Sequence, residues 1–389
     1  MIWRKALAIL FAMLIVSTTA AFGGVRADTQ VRVILVSDNE ADSALAEYLA
    51  NVTEAIVVTT SWGVYDPNVT AEITAYAPDE VIIIGGPDAV VEQYVEDLMA
   101  LNITVERWGG ANRYETNLAV LGNATLKLRI KFENSVVIVP GHDPVAIKEA
   151  LRRAVKVHGI IIFANNTTDP VRIMMKLQVR PKNMTIIRSH IMKHVGERVR
   201  ERVEGNVTEI DVNITEEMAL QAINASEERI KTAEELLANV TLPEQKKWLA
   251  EKMLNLSKME LEKAKEAYEE GKYGKAYGQA IAAKSHAEFV IKIASKEWEF
   301  KVKSNMKLGL EIRLTILEKQ VEILEKAGIN VSQVKSIIEA AKEAIEQGDL
   351  DSASTLIMKA QMLLRELYIG EKIKIRRAVH VPFHGHRKP

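Results

Sequence analysis

Cysteine is absent from the 389-residue chain. That absence excludes disulfide stapling, thiolate metal sites, cysteine nucleophiles and lipid attachment through a cysteine. Positive charge is scarce in one segment: residues 28–126 carry 16 acidic side chains and three basic ones, Arg32, Arg107 and Arg113. A balance of −13 there argues against nucleic acid as a partner of that segment. Residues 127–213 reverse it, with 9 acidic and 16 basic side chains, so the formal net charge of −1 hides two opposite halves that should pack together, within the chain or in a homo-oligomer. Long hydrophobic runs are missing after the first one, ALAILFAMLIVSTTAAF, which follows MIWRK and precedes GGVRA. Basic, apolar and small-residue parts in that order predict a signal peptide over 1–27, cut after Ala27; left uncut, it is the chain's one expected contact with a membrane.

Asparagine says more about location. Of 18 asparagines, 13 lie in Asn-x-Ser/Thr: Asn51, Asn68, Asn102, Asn123, Asn165, Asn166, Asn183, Asn206, Asn213, Asn224, Asn239, Asn255 and Asn330. With 35 Ser and Thr in the chain, chance gives about two. Capping and turns also favour Asn-x-Thr, yet neither demands it so often. The excess predicts a secreted, N-glycosylated protein at the extracellular surface of an archaeal envelope.

Between Val31 and Asn213 short β-branched runs (VRVILVS, AIVVTT, EVIIIGG, VVIVP, GIIIFANN, MTIIRS) alternate with helical periodicity. Apolar strands separated by helices predict an α/β fold with parallel sheets covered on both faces. An offset of 103 aligns Val36 with Val139, Gly85 with Arg188 and Glu106 with Glu209, so 127–213 reads as a degenerate copy of 28–126. From 214 to 370 prolines nearly vanish and Ala, Glu, Lys, Leu and Ile dominate. There AKEAYEEG at 264–271 recurs as AKEAIEQG at 341–348, and the same offset aligns Ala276 with Ala353 and Ala283 with Ala360. Each copy predicts helix, glycine turn, helix, with small residues at the close approach. Such hairpins bury one face and offer the other to partners. The basic tail, 371–389, holds His380, His384 and His386.

Two of the three arginines of the acidic half flank a glycine pair in ERWGGANRYET, 106–116. A strand TVERW ending at Gly109 and Gly110, with a helix opening at Ala111 or Asn112, would offer backbone N–H groups and two guanidiniums to an anion. The alternative is that Arg107 and Arg113 fasten helix to sheet through local carboxylates. GGPDAV at 85–90 adds a second strand-Gly-Gly turn, with Asp88 expected as the cap of a following helix.

The stretch EVIIIGGPDAVVEQYVEDLMALNITVERWGGANRYETNLAVL resembles the cell-wall-binding repeat type 2 family, whose repeats carry a strand-GG-helix segment and then R-x-x-G-x-[DN]-R-Y-x-T. DNEADSALAEYLAN, with Asp42 and Leu45, is similar to that family's Asp-Ala-Leu helix. The resemblance covers about Val31 to Leu121, with Asn112 standing where Asp is usual. It implies Rossmann- or toprim-like repeats that bind anionic envelope polysaccharide or S-layer proteins without covalent attachment. The ligand-contact candidates are Gly85, Gly86, Arg107, Gly109, Gly110, Arg113, Tyr114 and Thr116.

His190 and His194, at i and i+4, lack the glutamate of a metalloprotease helix, and no metal or other cofactor is expected. His142 and Asp143 sit at a strand end without a nucleophile to complete a set, so the chain is read as no enzyme. Two rivals stay open: an envelope hydrolase or amidase modulator using His142 and Asp143, and a solute-binding protein with its ligand between the α/β halves.

Overall fold

The computed structural model describes residues 30–165, 170–188 and 206–378. The signal segment, Asn166, the pair His190 and His194, and the tail histidines lie outside the described residues.

Two parallel four-stranded sheets carry the α/β part. In the first, β1 (Arg32–Ser37), β2 (Ile56–Thr60), β3 (Glu80–Ile84) and β4 (Thr104–Trp108) run in the order β2-β1-β3-β4. In the second, β5 (Ser135–Pro140), β6 (Ile160–Ala164), β7 (Asn183–Arg188) and β8 (Asn206–Asp211) repeat it as β6-β5-β7-β8. Arg32 and Ser135 open equivalent strands, as do Glu80 and Asn183, at the 103-residue offset read from sequence. Helices α1 (Glu40–Thr53), α2 (Pro67–Ala75), α3 (Gln93–Ala100) and α4 (Arg113–Leu126) follow the strands of the first repeat; α5 (Pro144–Val157) and α6 (Pro170–Lys176) belong to the second.

Period-two alternation assigns the faces of the first sheet. Ile34, Val36, Ile82, Ile84 and Trp108 share one core with Val137, Val139, Ile161 and Phe163 of the second sheet, and Ala41, Leu45 and Leu49 of α1 meet Ala146, Ile147 and Ala150 of α5 between them. The halves do pack together, but through apolar side chains and the Tyr48 hydroxyl, which donates to Gly159 O at 2.6 Å. Asn117 of α4, fully buried, bridges the backbone of edge strand β6: its Nδ2 donates to Ile161 O and its Oδ1 accepts from Phe163 N. That closes an otherwise open edge.

The helical part runs as α7 (Glu216–Ala238), α8 (Glu244–Glu269), α9 (Tyr273–Ser304), α10 (Met306–Lys326), α11 (Ser332–Glu346), α12 (Leu350–Gly370) and α13 (Lys372–Ala378). The predicted hairpins are α8–α9 and α11–α12. Gly271 and Gly348 turn them at φ 72° and 79°. Both turns use the same pair of bonds, Lys272 N to Ala267 O with Gly271 N to Tyr268 O, and Asp349 N to Ala344 O with Gly348 N to Ile345 O. A left-handed residue is needed there, which glycine adopts without steric cost. Ala276, Ala283, Ala353 and Ala360 are all fully buried.

The sequence does not foretell where these helices go. The outer face of the first sheet, Val33, Leu35, Val58, Val81 and Ile83, forms one core with Leu310, Leu314, Leu317, Ile338, Ile357 and Leu364. The acidic half finds most of its countercharges in the same region, with Lys127 of the basic segment pairing only Glu106: Asp38 pairs with Arg229, Glu40 with Lys284, Asp88 with Lys292 and Lys296, and Asp79 with Lys372 and Arg376.

Candidate functional site

The glycine pairs at the carboxyl ends of β3 and β4 lie backbone against backbone. A Cβ at Gly109 would stand 2.3 Å from Gly85 O, and one at Gly86 2.6 Å from Gly110 O. Only glycine permits that approach, and Gly85 also has φ 121°. Arg107 braces the pair from β4, donating to Gly85 O at 3.1 Å and to Glu92 at 3.0 Å.

Asn112 caps α4 as expected, its Oδ1 accepting from Tyr114 N and Glu115 N at 3.1 and 3.0 Å. Glu115 reaches back to accept from Ala111 N at 2.9 Å, and Thr116 Oγ1 accepts from Gly110 N at 3.2 Å. The position where an anion would meet the start of α4 is thus held by the protein's own carboxylate, as in a capping box but with its bond made one residue earlier, to Ala111 N before the N-cap.

Asp88 departs from expectation. Val90 and Val91 dive into the core, 0% and 3% exposed, so the chain turns after Gly86 and α3 begins only at Gln93 behind Glu92. Asp88 caps no helix. The two lysines beside it hold its carboxyl below its usual range against the opposing effect of burial.

Arg113 leaves the first repeat altogether, donating to Gly141 O at the end of β5 at 2.9 Å. Tyr114 follows it: its hydroxyl lies 3.5 Å from His142 Nδ1, and its ring sits where a Cβ on Gly141 would be 2.7 Å away. Burial lowers the pKa of His142, and the charge of Arg113 lowers it further while Asp143 opposes. Asp143 itself caps α5 through Ala146 N and accepts from the Tyr277 hydroxyl at 2.8 Å.

Of the residues that face Arg113 from other elements, sequence reasoning names Asp42 only through the resemblance of its helix, with no role at the site, and misses Glu288. Asp42 of α1 is 6% exposed, and burial pushes its carboxyl up to about 7 against the pull of Arg113. Glu288 of α9, half-buried, is raised by burial while Lys284, Arg229 and Arg113 hold it down. Asp42 Oδ1 and Glu288 Oε1 are buried without a hydrogen-bond partner.

Helix α9 organises this centre. It has 32 residues, about 48 Å at 1.5 Å each, and crosses the carboxyl ends of both sheets. Tyr277 bonds Asp143, Lys284 meets Glu40, Lys292 and Lys296 hold Asp88, and Ser295 donates to Gly63 O at 2.5 Å. Doubly wound folds take ligands in the crevice outside the strand ends, where strand order reverses. In the first repeat that place, between β1 and β3, is covered by α9. The degenerate repeat differs: Arg188, aligned with Gly85, pairs bidentately with Asp211 at 2.8 and 2.7 Å. Among the described residues no group of three metal-ligating side chains occurs, and no helix is long and apolar enough to cross a membrane.

No protein-family model matches the sequence. The chain is 33% identical over 274 residues to the uncharacterized protein MJ0755 of Methanocaldococcus jannaschii, covering 68% of this chain and 78% of that one. Among solved structures it is similar to Cwp6 and Cwp8 from Clostridium difficile, at 21% and 20% identity with TM-scores of 0.39 and 0.38. Those matches span 47% and 48% of this chain but only 29% and 32% of theirs.

Proposed function

Since the chain belongs to the family of the Methanocaldococcus jannaschii protein MJ0755, we propose for this member of it a secreted, N-glycosylated surface protein that performs no chemistry. It holds anionic envelope polysaccharide or S-layer proteins through its α/β repeats. The observation that carries the surface reading is the placement of the sequons. Of the twelve sequon asparagines within the described residues, Asn123 and Asn165 are half-buried and the other ten exposed. None is spent on the core, as a set selected for folding alone would be.

The polymer-holding part rests on the motif. Ala111 and Asn112 are exposed at the rim of the junction, and an anion docking there would displace the Glu115 carboxylate and gain the N–H groups it now covers. The rival readings have less support. Asp143 is committed to α5 and Tyr277, and the space between the halves is filled by α1 and α5. For protein partners the helical part still offers an apolar stripe on α12 and α13: Met358, Met362, Ile369 and Ile373 are 51%, 65%, 51% and 59% exposed.

Mass spectrometry of the native protein tests the location: the chain should begin at Asp28 and carry glycan on several sequon asparagines. An unmodified chain starting at Met1 removes the surface reading. Sedimentation with isolated envelopes tests the binding, with the polymer identified in the pellet.

A further inference from the structure

Beside the turn after β2 a groove of about 190 Å³ opens between the first repeat and the second half of α9. Val64, Tyr65 and Val91 form one wall, and Trp298 and Val302 the other. The Tyr65 and Trp298 rings lie 6.4 Å apart with planes 24° from parallel, so that two aromatic rings line the groove. Glu92, Glu96 and Glu299 line the same groove, against Lys303 as the one cation among its lining residues. Arg107 takes up Glu92 from outside, and Lys296 is held by Asp88. Glu96 and Glu299 therefore outnumber Lys303 over an apolar, aromatic floor.

We propose that this groove binds an alkylammonium group: an organic cation on an apolar stem, either a free amine or a lysine side chain. The stem lies along Val64, Val91 and Val302, the cation against the Tyr65 and Trp298 rings, and Glu96 and Glu299 accept its hydrogen bonds. Burial raises the Glu299 carboxyl, and the nearby charges of Glu92 and Glu96 raise it further while Lys303 and Lys296 oppose. An arriving cation relieves that repulsion. An anionic ligand would add to it, so this site is distinct from the motif at the α4 N-terminus.

The test is calorimetric titration of the full chain with 1,5-diaminopentane, Nα-acetyl-lysine methylamide and neutral 1-pentanol. Both amines should bind about tenfold or more tightly than the alcohol, and the advantage should shrink with added salt. The double variant Glu96→Gln/Glu299→Gln, at partly exposed positions, should keep its melting temperature and lose about tenfold in amine affinity. A tighter fit for the lysine derivative assigns the site to a protein partner, and the reverse order to a free amine. Equal binding of alcohol and amines, amine binding unchanged in the folded double variant, or no binding at millimolar amine overturns the proposal.

Discussion

Asp42 stores a pH dependence that the sequence gives no hint of. Its carboxyl, raised from 3.8 to about 7 in the fold, binds its proton more tightly in the native state than in the unfolded chain. Stability from this group is complete below about pH 4 and is lost as pH rises through about 7. Asp42→Asn should therefore raise the melting temperature at pH 8 and change it little at pH 4. At 1.36 kcal/mol per unit the gain at pH 8 is at most about 4 kcal/mol, reduced by whatever Arg113 supplies to the ionised form. Thermal unfolding of both proteins across pH checks it; parallel curves would contradict it. Arg113 faces two tests at once. Its removal leaves Asp42 and Glu288 with less compensating charge and Gly141 O without its donor, so Arg113→Ala should cost about 1–3 kcal/mol of stability. If it also contacts an envelope anion, affinity falls by a similar amount in the protein that remains folded. Glu115→Gln should do the opposite, strengthening anion binding by about 1 kcal/mol, because the competing charge leaves the α4 N-terminus. Unchanged binding in both variants would reduce the motif to a fastening between repeats.

Elements were legible in the sequence wherever their cause is local. The strands announce themselves by β-branched runs, the repeat by its offset, and the hairpins by Gly271 and Gly348, whose positive φ follows from the turn they make. The path of α9 was not legible, because its contacts with Asp143, Glu40, Asp88 and Gly63 join residues more than 130 apart in sequence. Asp88 was misassigned for a related reason: burial of Val90 and Val91 overrode a good local capping pattern. The helix predicts a ranking of its contacts. Tyr277→Phe removes a buried donor to Asp143 and the acceptor of Val145 N, and should cost about 1–3 kcal/mol. Lys292→Ala or Lys296→Ala touches side chains 40% and 59% exposed and should cost less than about 1 kcal/mol each. Chemical denaturation of the three variants orders them; a larger loss from either lysine would mean that α9 is held chiefly by charge.

Across the whole molecule the composition break near residue 214 marks a change of secondary structure, but both sides of it share cores. An acidic first repeat with three basic side chains of its own depends on Arg229, Lys284, Lys292, Lys296, Lys372 and Arg376 for charge, and on α10 to α13 for cover. The α/β region read alone suggests a piece, 28–213, able to fold by itself. The shared core argues otherwise. A chain ending at Ser304 would remove Leu310, Leu314, Leu317, Ile338, Ile357 and Leu364 from the core that α2, α3 and the outer face of the first sheet share with them, and would leave Asp79 without Lys372 and Arg376. An apolar surface left open in this way binds hydrophobic dye and self-associates. The chain truncated at Ser304 should therefore bind such a dye, elute as aggregate and lose a cooperative melt, while a chain ending at Gly370, which lacks only α13 and the tail, should keep the cooperative melt at reduced stability. A monomeric, cooperatively melting 28–304 chain would show instead that the first repeat needs α7 to α9 alone, and that α10 to α13 cover a face already stable without them.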